Sequence, residues 1–83
     1  MNYQELIQIR DIYNTTNQET IKDNIKRLMK DNNIKHDQLV KLLEISLHTS
    51  YSYTNKANKN KPELYNLMII AAYTNTSIYD IFQ

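Results

Sequence analysis

Glycine, cysteine and tryptophan are missing from this chain, and proline occurs once, at Pro62. Without cysteine there is neither a disulfide framework nor a thiolate metal site, which suits a reducing compartment. Without glycine, no phosphate-cradling loop can be built. No apolar run approaches the ~20 residues that span a bilayer, and the amino terminus lacks the charged-then-apolar order of a secretion signal, so the expected location is cytoplasmic, with no membrane partner. The two histidines, His36 and His48, fall on different short segments, and the acids around them are scattered. Nothing has the spacing of a metal site or an acid/base pair, which argues against an enzyme and predicts no cofactor.

What remains is an 83-residue chain, enough for one small domain of about four to six short helices. Asparagine, isoleucine, lysine and tyrosine are abundant while arginine and alanine are scarce, as AT-rich codons would give; a low-GC bacterium, or one of its phages or plasmids, is the expected source. The net charge of +1 conceals an uneven distribution, with residues 1–20 at −2, residues 21–61 at +5 and residues 62–83 at −2. A basic centre between acidic ends predicts one cationic face.

Helix signals run through the chain. Tyr3, Leu6, Ile7 and Arg10 recur at helical spacing, with Ile9, Ile12 and Tyr13 forming a second strip, so the first helix should end at Asn14–Thr15. Thr16 and Glu19 have capping-box spacing and announce a second helix. Its stripe is Ile21, Ile25, Leu28 and Met29, its expected surface Lys22, Lys26, Arg27 and Lys30, and its stop Asn32–Asn33. Leu39, Val40, Leu42 and Leu43 predict a two-turn helix over 35–43, with Ile45 plugging the junction after it. Ser46 should cap a third short helix over about 47–54. The run 55–61 alternates amide with ammonium and reads as a basic loop. Pro62 is expected to open an apolar helix over 64–73, with Asn75 ending it, and Thr76 or Ser77 capping a last turn that carries Ile78, Ile81 and Phe82. No segment alternates with period two, so the fold class is all-α.

The stretch Ile34–Thr54 carries the functional signal. Two short helices meet at a tight polar junction, and the second is filled with hydroxyls, an imidazole and phenols instead of apolar residues, as in a helix-turn-helix whose second helix faces a partner. Leu47, His48, Tyr51, Ser52 and Asn55 are spaced to share one exposed face. His48 and Asn55 can bond purine edges, Tyr51 and Ser52 can reach bases or phosphates, and Leu47 can touch a thymine methyl in the ~12 Å wide major groove. Thr49 and the starts of both short helices, where Lys35, His36 and Ser46 lie, can grip phosphates. Tyr51 and Tyr53 fit either this face or the core.

Leu39, Leu43, Ile45 and Ser46, then Pro62, then Ser77-Ile78-Tyr79-Asp80-Ile81 resemble the motif positions of the Cro/repressor-type helix-turn-helix family, also called the XRE family, of phage, plasmid and other mobile-element regulators. The resemblance covers about Ile21–Phe82, some three quarters of the chain. It implies a compact five- or six-helix, lambda-repressor-like bundle over residues 16–83, with residues 1–15 as an extra N-terminal helix. It departs at His36, where glutamine is usual, at Val40 for alanine and at Glu44 for the glycine of the turn. The apolar anchor of the recognition helix becomes Ser50, or Tyr51 if one residue is inserted.

The resemblance implies a sequence-specific DNA-binding transcriptional regulator, a repressor, with the helix at about 46–54 in the major groove of double-stranded DNA. Lys35, and Lys56, Lys59 and Lys61 in the loop after it, would run along the DNA backbone. A homodimer follows because two such helices ~34 Å apart can read a palindrome. Its interface is expected on the helix Tyr3–Tyr13 or on the Tyr73–Phe82 end, unless the first helix packs on its own domain. The alternative on the same scaffold is a protein-binding module such as an antirepressor, antitoxin or anti-CRISPR protein, because a tyrosine-rich, arginine-free helix supplies contact area at small entropy cost.

Overall fold

The computed structural model describes all 83 residues as six helices without strands: α1 (Tyr3–Thr15), α2 (Gln18–Asp31), α3 (His36–Leu43), α4 (Leu47–Ser52), α5 (Leu64–Tyr73) and α6 (Ile78–Ile81). The all-α expectation is met, and α2 to α6 form a compact bundle. Ile21, Ile25, Leu28 and Met29 of α2, Leu39 and Leu43 of α3, Leu67 and Ile70 of α5 and Ile81 of α6 share one core cluster. Ile9 of α1 belongs to the same cluster and is almost fully buried. The carboxy-terminal half of the first helix therefore packs on its own domain, whereas Tyr3 and Leu6 near its start are exposed.

The first joint differs from the capping box expected at Thr16–Glu19. Two residues separate α1 from α2, and each closes one helix. The Thr16 hydroxyl donates to the Ile12 carbonyl at 2.7 Å, ending α1, while the Asn17 side chain accepts from the Thr20 amide at 2.8 Å, starting α2.

The absence of glycine leaves its mark on three helix ends. After α2, α3 and α5 the chain turns through a left-handed residue, Asn33 (φ 53°), Glu44 (φ 54°) and Asn75 (φ 54°). In each case the amide of the following residue reaches back to a carbonyl five positions earlier: Ile34 to Met29, Ile45 to Val40 and Thr76 to Ala71. Asparagine is the residue after glycine best suited to this conformation, and two of the three positions use it. The glutamate at the third has no such local support.

Pro62 lies two residues ahead of α5 instead of at its first position, for Glu63 caps the helix and Leu64 begins it. Pro62 is fully buried, and its carbonyl accepts a 2.6 Å hydrogen bond from the Tyr13 hydroxyl. Tyr13 also meets Phe82 edge to face, with ring centroids 6.3 Å apart. The last turn of α1 thus braces both the entry to α5 and the end of the chain.

Candidate nucleic-acid interface

The turn between α3 and α4 follows from local chemistry. Glu44 supplies the left-handed step, Ile45 is half-buried beneath it, and the Ser46 hydroxyl accepts from the Thr49 amide at 3.0 Å, capping α4 as expected. The anchor of α4 is Ser50, in the ungapped register. It is fully buried, and its Oγ lies 2.8 Å from Nδ1 of His36 at the start of α3. A polar link between imidazole and hydroxyl holds the two helices where an apolar contact is usual. Burial lowers the His36 pKa from its ordinary value, so the neutral ring is favoured there.

With Ser50 turned inward, Leu47, His48 and Tyr51 point outward. Leu47 is 51% and Tyr51 54% exposed, and His48 is exposed as well. Tyr51 also lies against the His36 ring, centroids 4.3 Å apart, so its phenol is presented on a fixed platform. Tyr53 takes the other option: it is buried, and its hydroxyl accepts from the Asn66 side chain at 2.8 Å.

Other expected contact residues are committed internally. Ser46 donates to the Thr49 hydroxyl at 2.9 Å, and Ser52 donates to the Thr49 carbonyl at 2.7 Å. Asn55 lies beyond the end of α4, and its side-chain oxygen accepts from the Ala57 amide at 3.0 Å, forming a turn. The residue itself is exposed.

The lysines sort into distinct roles. Lys35, just before α3, and Lys59 in the loop are exposed and unpaired. Lys56 is also exposed but lies 3.1 Å from Asp23 of α2. Lys61 turns away from the expected backbone contact: its ammonium donates to the Tyr13 carbonyl and sits 4.2 Å from the centre of the Tyr13 ring, and burial lowers its pKa. Lys22, expected on the surface of α2, has no exposed area and donates to the carbonyls of Asn55 at 3.1 Å and Asn58 at 2.6 Å. The sequence held a signal for this burial. Lys22, Ile25 and Met29 fall at i, i+3 and i+7, which puts the lysine stem on the apolar stripe.

Between α4 and the loop lies a polar recess of about 180 Å³, bordered by His48, Thr49 and Ser52 on one side and Asn58, Asn60 and Lys61 on the other. The recess sets the loop beside the outward face of α4, so one surface carries both. Residues 24–83 match the family model of the Cro/C1-type HTH DNA-binding domain. No curated protein and no solved structure gives a significant match.

Proposed function

Since the chain belongs to the Cro/C1-type helix-turn-helix DNA-binding domain family, we propose that it is a sequence-specific transcriptional repressor of a mobile genetic element, acting in the cytoplasm as a homodimer on double-stranded DNA. The observation that carries this reading is the outward set Leu47, His48 and Tyr51 on α4. These side chains project from a helix fixed by Ser50 and Ser46, and neither His48 nor Tyr51 is tied up by a hydrogen bond within the chain. A helix presented in this way lies along the major groove, with the imidazole and phenol reading base edges and Leu47 against a thymine methyl. Lys35, Lys59, Thr49 and Asn55 flank it and meet phosphates, and occupancy of the site blocks the promoter. The amino-acid composition, rich in residues with AT-rich codons, fits a low-GC bacterium or one of its phages or plasmids. None of the helices is long and apolar enough to cross a membrane.

Gel-shift titration on the DNA upstream of the protein's own reading frame tests the proposal. A sharp shift that resists random competitor DNA, and weakens steeply with salt, is the expected result. Complete absence of binding at low salt would refute it. That result would favour the second reading, a protein-binding module, which draws on the half-exposed Leu47 and Tyr51 and on the lack of arginine from Ser46 to Lys61.

A further inference from the structure

A lysine with no exposed area is unusual, because removing an ammonium from water is costly unless the protein replaces the lost hydration. Lys22 has no carboxylate partner. Its replacements are two backbone carbonyls, those of Asn55 and Asn58, at 3.1 and 2.6 Å. Burial first, and then the charge of Lys59, pull its pKa below the ordinary lysine value. A methionine would fill the same volume without desolvating a charge. What the ammonium adds is the fixing of two carbonyls in a segment that has no regular structure of its own.

That segment needs fixing. Within it, the Asn55 side chain accepts from Ala57 N and the Asn58 side chain from Asn60 N, which shapes two local turns but attaches neither to the domain. The Asn55 amide joins the segment's start to the Ser52 carbonyl at the end of α4, and Lys61 joins its end to Tyr13 of α1; between these two points the polar attachment comes from α2. Lys22 holds the carbonyls of Asn55 and Asn58, Gln18 Nε2 donates to the Lys56 carbonyl at 3.2 Å, and Asp23 pairs with Lys56. Two of the three contacts made by Lys22 and Gln18 bracket Lys56, and the Asn58 contact immediately precedes Lys59. Gln18, Lys22 and Asp23 all precede the residues matched to the family, 24–83.

We infer that Lys22 is a positioning residue for DNA binding: it holds the 55–60 loop in the conformation that places Lys59 against the duplex backbone, while touching no DNA itself. This rests on the reading of the loop as DNA-flanking. The geometry requires only that the loop be ordered before binding, so that the phosphate contact is made without the entropy cost of ordering it at that moment.

The test compares wild-type protein with Lys22→Met and Lys22→Gln, the latter keeping one donor should the methionine variant fail to fold. Backbone amide order parameters are measured for residues 55–60 and for α5, and binding to random-sequence duplex is titrated across salt concentrations. Expected are a loop order parameter falling from about 0.85 to below about 0.6 with α5 unchanged, an affinity for random duplex reduced several-fold at low salt, and a salt slope flatter by about one. Simple destabilisation would lower the folded fraction alike at all salts and leave the slope intact. A loop as rigid in the variants as in wild type overturns the inference, as does an unchanged slope with a loosened loop. If wild-type protein binds no duplex at low salt, the DNA reading fails and takes the binding role of Lys22 with it; the amide measurement then still decides separately whether Lys22 orders the loop.

Discussion

The imidazole of His36 and the hydroxyl of Ser50 are 2.8 Å apart, and this pair joins the start of α3 to the buried side of α4. Its titration has a calculable sign. Burial holds the folded-state pKa of His36 below 6.5, so as pH falls the unfolded chain takes up a proton first. Stability from this group is complete above about pH 6.5 and is lost as pH falls through the folded-state value. The urea midpoint should therefore be lower at about pH 5.5 than at about pH 7.5, and His36→Gln, which keeps a donor and an acceptor but does not titrate, should flatten that difference. An identical pH dependence in the glutamine variant would show that the imidazole is not the group responsible.

Glu44 gives a second test of the same junction. An ordinary L-residue in the left-handed region costs roughly 1–2 kcal/mol, and glycine escapes that cost but returns about 0.4–1 kcal/mol through its freer unfolded chain. At φ 54° and ψ 46°, Glu44→Gly should stabilise the domain by about 0.5–1 kcal/mol. The melting temperature should rise by about 2–8 °C, measurable by circular dichroism; a lower melting temperature would mean that the glutamate side chain contributes a contact that outweighs its backbone strain.

The parts of this architecture that were legible beforehand were those fixed by neighbours along the chain. Apolar spacing placed α2, α3 and α5, and Ser46, Asn33 and Asn75 marked helix ends, because caps and stripes are local physics. The register of α4 was not legible, since Ser50 is polar and nothing nearby shows that His36 waits opposite it. The inward turn of Lys61 is hidden for the same reason, and for Lys22 the stripe it shares with Ile25 and Met29 is legible but its partners are not. Each is turned inward by partners 33 to 48 residues away, the loop carbonyls and Tyr13. Thr16 failed as a cap because a two-residue joint left its hydroxyl nearer to the end of α1.

Two kinds of contact on the proposed DNA face should separate in binding experiments. His48→Ala should reduce preference for the cognate site over random duplex by ~1–3 kcal/mol, because a base-edge contact carries sequence information. Lys59→Ala should weaken both duplexes alike and flatten the salt slope by about 0.9. Lys56→Ala should flatten it less, for Asp23 already lies 3.1 Å from that ammonium. Equal losses on cognate and random duplex for His48→Ala would remove the imidazole from the groove.

The first helix should prove integral to stability although it lies outside the matched family region. Ile9 is 1% exposed within the shared core, so Ile9→Ala leaves a cavity costing about 2–5 kcal/mol. Tyr13→Phe keeps the ring against Phe82 and under the Lys61 ammonium but strips the buried Pro62 carbonyl of its 2.6 Å hydrogen bond, at about 1–3 kcal/mol. Because Tyr13 secures the segment leading into α5, its loss should also loosen residues 61–63 in amide exchange, whereas Ile9→Ala should lower stability without singling out that segment. Removal of residues 1–15 deletes both contacts at once and should destabilise the domain by more than either substitution. A truncated protein that melts at the wild-type temperature would establish α1 as an appendage and leave the bundle from α2 onward as the complete folding unit.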